Sequence, residues 1–390
     1  MSSGESPRLA DLAGATPVTR DRYVDFLRAF SVLVVVFGHW LGAAIVWQGG
    51  VLSAQSALDV VPGLWVITWF LQVMPIFFFV GGFSNYVTYQ GLRRLDEGGW
   101  TFFRGRASRL LRPTAVFLVF WAIVAPFAMR LPALPPAAGS KALPVLAGPL
   151  WFLGVYLVLV AFSPLMINLH LRYRWATLLT LVVLPVVVDL FRFVGGISWI
   201  GNINILFVWL LVHQLGFFYA DGTFDRVSQR FFGLLALVGY AVMFALTRLA
   251  VYPSSMVGCC ADEISNMAPP TLAILALGVG QIGLAMLLRP AITRWLNKKR
   301  SWTAVIAVNA TIMTIYLWHL SALVIAVATL FPLGFPQPEV GSGLWWAIRP
   351  LWLAVLTFPL AGLVALFGRF ERPDLDPAER DWNLEKFYAL

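Results

Sequence analysis

Charge is scarce in this chain. Only 12% of its 390 residues are Asp, Glu, Lys or Arg, against 59% hydrophobic residues and a mean hydropathy of +0.79. So few charges cannot cover an aqueous surface, which excludes a soluble globular protein, and the apolar runs recur at membrane-spanning length. Strand-sized alternating segments are also missing. That argues against a transmembrane barrel, because long uniform apolar runs satisfy their backbone groups only as helices. The expected fold is all-α, a polytopic helical membrane protein. No extramembrane stretch is long enough to fold alone, and no repeat of 20 to 50 residues is evident. The first five spans do not superimpose on the last five, which counts against an inverted-repeat transporter. Cysteine is limited to the adjacent Cys259 and Cys260. Neighbours in sequence form only a strained disulfide, so free thiols, a vicinal bridge and intermolecular pairing all stay open.

Apolar runs give ten candidate spans, beginning near Phe26, Leu64, Thr114, Leu146, Ala176, Ile203, Phe231, Thr271, Ala304 and Leu344. The polar, Pro-containing start of the chain reads as a cytosolic tail (1–22) with no cleavable signal peptide, ahead of a membrane domain (23–370) and a second cytosolic tail (371–390). Basic residues test this layout independently. Alternating the loops places 23 of the 28 Lys and Arg residues on one face, leaving Arg130, Lys141, Arg192, Arg248 and Arg349 in or beside the other. By the positive-inside rule both termini are cytoplasmic, in a multi-pass protein of the plasma membrane. The net charge of +9 is then a topological signal and an attraction to the bilayer, with no need for nucleic acid.

Within the first span stand Asp25, Arg28 and His39. Eleven residues at about 100° each return to within roughly 20° of the starting face, so Arg28 and His39 share one stripe about 16 Å apart along the axis. Asp25 lies near it. Counted from Phe26, His39 falls past the middle of a hydrocarbon core of roughly 30 Å, where an ionisable group is usually functional. The competing readings are structural: a packed histidine bonded to a neighbouring helix, a snorkelling arginine, and an aspartate acting as an N-terminal dipole partner.

The stretch from Arg22 through Asp25 and Arg28 to His39 resembles the opening signature of acyltransferase family 3, which carries a basic residue, ten intervening residues and a His in its first helix. Pro75 to Phe83, with Gly81 and Gly82, is similar to the family's Phe-rich second helix, and Arg106-Ala-Ser-Arg109-Leu-Leu-Arg112-Pro113 to its Arg-x-x-Arg segment. Leu150 to Leu153 and Tyr316-Leu-Trp-His319 resemble later landmarks. Tyr156 stands near a place where many members carry Glu, so a second carboxylate role is not carried over, and Gly81 occupies a place often held by Ser. The chain stops too early for the extracytoplasmic C-terminal domain of some members. The resemblance implies a ten-helix membrane O-acyltransferase that moves an acyl group, acetyl above all, from acyl coenzyme A to a hydroxyl of a cell-envelope glycan, glycolipid or lipid.

Such a transfer needs a base as the hydroxyl oxygen attacks, and an imidazole, which titrates near neutrality, suits the task. A covalent acyl-histidine is the other route. Arg106, Arg109 and Arg112, at spacings of three, can share a helix face and offer charged forks to the phosphates of the coenzyme, unless they serve topology alone. Pro75, Gly81 and Gly82 can open the second helix beside the donor, or merely pack. His213 and His319 lack a metal partner at helix spacing and read as interhelical hydrogen-bond formers; no metal is expected. Asp189 and Arg192 read as a local ion pair, and Trp40 and Trp47 as interfacial anchors or acceptor platforms. The alternative function is a carrier in which His39 and Arg28 relay protons. A continuous first helix favours the enzyme, and broken helices in symmetry-related positions favour the carrier. The oligomeric state is not legible.

Overall fold

The computed structural model describes residues 16–17, 20–48, 51–128, 130, 138–249, 251–258 and 264–371. Within these, long apolar helices dominate: α1 (Arg22–Gly42), α2 (Met74–Arg93), α3 (Gly99–Ala128), α4 (Leu150–Phe193), α5 (Asn204–Ala220), α6 (Gln229–Leu249), α7 (Leu272–Leu296), α8 (Lys299–Asn309), α9 (Ile312–Leu330) and α10 (Gly343–Phe367). All but α8 are long and apolar enough to cross a membrane, so nine such helices occur among the described residues. The protein is a polytopic helical membrane protein.

Nine helices and ten expected spans are reconciled at Arg174. The 44 residues of α4 would extend about 66 Å, twice a hydrocarbon core. Its backbone breaks at Arg174, which takes a positive φ of 31° while its guanidinium pairs with Asp221 at 2.9 Å and donates to Thr223. The two halves match the spans expected from Leu146 and Ala176.

Two boundaries differ from the sequence reading. The run from Lys299 to Asn309 forms the short α8, so the ninth crossing begins at Ile312 and not near Ala304. Asn309 ends α8 by donating to the carbonyls of Val305 and of Asp25. Trp302, Val305 and Ile306 of α8 then pack with Ala29 and Leu296, bracing the start of α1. At its other end α1 stops at Gly42, and Ala43–Gln48 pairs antiparallel with Val51–Ser56. The β-branched Ile45 and Val46 favour a strand, so the one short hairpin among the described residues follows directly on the first span.

The centre of the bundle is α5, with Val208, Trp209, Leu211, Val212, His213 and Phe217 fully buried. It packs on α2 through small residues. A side chain at Gly82 would strike the His213 carbonyl, and one at Gly216 the Phe79 carbonyl. Gly81 faces the Tyr156 ring, whose Cε2 would lie 2.7 Å from an added Cβ. Close packing thus accounts for Gly81 and Gly82. Both α1 (Arg22–Gly42) and α2 run as single helices through the bundle.

Gly82→Ala must separate α2 from α5, and is expected to destabilise the bundle by about 1–3 kcal/mol or more. A lowered thermal unfolding transition in detergent checks this, with Gly91→Ala, which meets nothing within 4 Å, as the tolerated comparison.

Candidate active site

At the Arg-bearing end of α1, Asp21 caps the helix by accepting from the amides of Tyr23 and Val24, and accepts from Tyr219 at 2.6 Å. Asp25 is buried. Its carboxylate takes two bonds from Arg20, at 2.5 and 3.1 Å, and lies 3.5 Å from Arg28. Arg28 in turn donates to Ser84 Oγ at 2.6 Å. Arg106 donates to the carbonyl of the same Ser84 and to Thr88 Oγ1, both at 2.6 Å. Ser84 therefore joins α1, α2 and α3 at one point, and Arg28, Arg106 and Arg109 lie within electrostatic reach of one another.

The segment carrying Arg106, Arg109 and Arg112 is helical throughout, so the three follow one another down α3. They are not equivalent. Arg106 is half-buried and fixed on α2, whereas Arg109 and Arg112 are exposed. Arg109 feels Glu371 just beyond α10 and Arg20 ahead of α1, which places both ends of the membrane domain on the same Arg-bearing face. Glu371 accepts from the amides of Met313 and Thr314, each at 2.9 Å, and from the Thr314 hydroxyl at 2.8 Å. Burial raises its carboxyl above the usual range, against the pull of those donors and of Arg109. A residue 57 positions away thereby satisfies the orphan N–H groups that open α9.

The far end of the Arg28 stripe carries a pair of histidines. His39 Nδ1 lies 2.9 Å from His319 Nε2, with the rings stacked at 5.1 Å between centroids. His319 Nδ1 lies 2.6 Å from the Tyr316 carbonyl, which can only accept. With neutral rings the proton directions follow. His319 carries its hydrogen on Nδ1, its Nε2 accepts from His39 Nδ1–H, and His39 Nε2 is left with a free lone pair. His319 is fully buried, while His39, like Phe37 and Gly38, keeps exposed surface.

His319 stands seven residues, about 10 Å, along the 19-residue α9, whereas His39 lies in the last turn of α1. Four contacts hold α9 in place. Trp40 Nε1 donates to the His319 carbonyl at 2.9 Å, Tyr316 to the Pro149 carbonyl at 2.9 Å, and Trp121 to Ser321 at 3.0 Å. Trp318 stacks on Phe367 at 4.1 Å. Trp40 is thus an internal strut, with no exposed surface, and not an interfacial anchor.

This chain belongs to acyltransferase family 3. The family model described as an acyltransferase domain matches residues 21–368, nearly the whole chain, from the Asp21 cap of α1 to the end of α10. Neither a curated protein nor a solved structure matches it. Of the residues expected to form the site, the acyltransferase fold separates two groups. Asp25 and Arg28 meet Arg20, Ser84 and the arginines of α3. His39 stands some 16 Å beyond Arg28 on the same helix and does not touch it. Asp25, in the first turn of α1, pairs with Arg20 and Arg28, while Asp21 caps the helix.

His319 is the interhelical hydrogen-bond former that the sequence suggested, and its partner, which the sequence did not name, is His39. His213 is the ordinary interhelical histidine, its Nε2 taking Asn85 Nδ2 at 3.0 Å. Asp189 accepts from Asn204, Tyr252 and the Leu272 amide, and Arg192 lies over Phe193, so the expected local ion pair is replaced by bonds to other elements. Among the described residues no three His, Cys, Asp or Glu side chains form a metal site; Cys259, Cys260, Asp262 and Glu263 lie outside them.

Removing the distant cap by Glu371→Ala is expected to cost about 1–2 kcal/mol, by analogy with the loss of an N-cap. A lower unfolding temperature checks it, with a smaller loss of transfer than from changing either histidine of the pair.

Proposed function

We propose that this membrane acyltransferase transfers an acyl group, acetyl above all, from acyl coenzyme A to a hydroxyl of an envelope glycan, glycolipid or lipid, with His39 as the general base. The observation that carries the reading is the chain of proton directions through the histidine pair, which leaves His39 Nε2 unprotonated, open and oriented. His39 Nε2 takes the acceptor hydroxyl's proton as the oxygen bonds to the thioester carbonyl carbon. The C–S bond then breaks, and His39 returns the proton to the departing sulfur. His319 does not touch the substrates. It fixes the His39 tautomer and spreads the positive charge that His39 gains, a positioning role.

The donor reading rests on the Arg-bearing face. Among the described residues Arg20, Arg28, Arg106 and Arg109 share this region with Asp21, Asp25 and Glu371, an arrangement suited to a pyrophosphate. Arg109, exposed beside the fixed Arg28 and Arg106, is best placed to reach it, with Arg112 one turn on. The charge bias makes this face cytoplasmic, where the coenzyme is available. From there the pantetheine arm, of the order of the 16 Å between Arg28 and His39, carries the thioester inward. The unbroken α1 supports the enzyme over the carrier.

His39→Ala is expected to lower transfer by about 10²–10⁴-fold with normal membrane insertion, the usual contribution of a general base. His319→Ala should also lose at least about tenfold, through kcat rather than KM, and His213→Ala far less. Purified variants assayed with labelled acetyl coenzyme A and envelope extract check this. Near wild-type turnover by His39→Ala overturns the assignment.

For the donor, Arg109→Ala is expected to weaken coenzyme A binding roughly tenfold or more, as one charge-assisted hydrogen bond implies. Calorimetry on the detergent-purified protein measures it. Unchanged affinity returns the cluster to topology alone.

A further inference from the structure

Above the histidine pair, on the face opposite the arginine cluster, opens a narrow cleft of about 40 Å³, room for a small polar group. Its walls include Ala43, Leu323, Gln337, Trp345, Arg349 and Trp352. Two of these tie it to the site already described. Ala43 follows His39 by four residues, and its amide donates to the His39 carbonyl. Leu323 follows His319 by four residues on the continuous α9, one turn outward on the same face. The cleft therefore begins about one helical turn, some 6 Å, from the pair.

Arg349 supplies the chemistry. It is half-buried and lies over the Trp345 ring at 3.6 Å, yet no carboxylate among the described residues stands within ion-pair distance of it. Arg20, Arg28, Arg174 and Arg289 each reach an aspartate, while Arg248, over Trp65 at 5.0 Å, resembles Arg349 in having no carboxylate among the described residues within ion-pair distance. Arg349 is also one of the five basic residues in or beside the sparsely charged face. A guanidinium kept in an aromatic cleft without a counter-charge is costly unless an anion is supplied. The aromatic walls accept the apolar face of a sugar ring or a lipid chain. Gln337 is held in place, accepting from the Trp47 amide at 2.6 Å, so the hairpin after α1 closes one side.

We infer that this cleft is the acceptor site, and that the acceptor is anionic: a phosphate or carboxylate pairs with Arg349 while the hydroxyl to be acylated reaches inward to His39. The inference rests on the proposed role of His39 for its direction, but the anion site itself does not. A specific class follows. The acceptor is a phosphate- or carboxylate-bearing lipid or glycan rather than a neutral sugar. It enters from the face opposite the donor, so only the acyl arm has to cross the interior.

The test uses the full-length protein in detergent and two probes, dihexanoyl phosphatidylglycerol for a lipid-borne phosphate and glucose 1-phosphate for a soluble one. Binding is followed by tryptophan fluorescence, with glucose as the neutral comparison. Wild type should bind at least one anionic probe and not glucose. Arg349→Gln should weaken that binding at least tenfold, Arg349→Lys should restore part of it, and His39→Ala should leave it unchanged. The probe that binds identifies the source of the anion. Binding of neither probe, or equal binding by wild type and a folded Arg349→Gln, overturns the inference; thermal unfolding establishes that the variant is folded. Arg349-dependent binding together with full transfer by His39→Ala would instead sink the catalytic reading and leave the anion site standing.

Discussion

The hydrogen bond between His39 and His319 is the interaction on which the proposed chemistry depends. Two neutral imidazoles in contact need one donor and one acceptor, and nothing in either ring decides which is which. The decision comes from a third group. The Tyr316 carbonyl lies in reach of His319 Nδ1 and has no proton to give, so each later assignment along the chain follows, ending at the open Nε2 of His39. Without that carbonyl the pair would interconvert between tautomers, and His39 would present a lone pair only part of the time.

Much of the bundle serves to keep α1 and α9 in that register. Trp40 grips the His319 carbonyl, Trp318 is stacked against Phe367, and Glu371 closes the first turn of α9 from beyond α10. On the other side α8 wedges Trp302 against the start of α1 and Asn309 takes the Asp25 carbonyl. In an apolar surrounding these polar contacts have no competing water, so these donors stay on their protein acceptors and the geometry has little freedom.

The second organising point is Ser84. Its hydroxyl takes Arg28 and its carbonyl takes Arg106, so two like charges from different helices are drawn to one residue. The neighbouring Asn85 donates through Nδ2 to His213 Nε2 and to Ser163 Oγ. Two successive residues of α2 thus face opposite polar partners, and the glycines one turn earlier allow α5 close enough for this to happen. Gly81 and Gly82 serve this node through packing, where the sequence also allowed a hinge beside the donor.

The class of fold was determined by the sequence alone, since hydropathy and charge asymmetry are properties of composition along the chain and the bilayer reads them directly. The common stripe of Arg28 and His39 was likewise legible, because helix periodicity is local. The break at Arg174 was visible only as two apolar runs; the residue that absorbs the kink is set by its ion pair with Asp221. The start of the ninth span was misplaced because α8 is apolar on one face only, and that face is spent on α1 rather than on lipid. Tertiary structure alone joined His39 to His319 across 280 positions, committed Asp25 to Arg20, and brought Arg349 into one cleft with Ala43 and Leu323. Periodicity states which face of a helix a residue occupies. Which partner meets that face depends on the packing of other helices against it, and no local pattern in the chain encodes that choice.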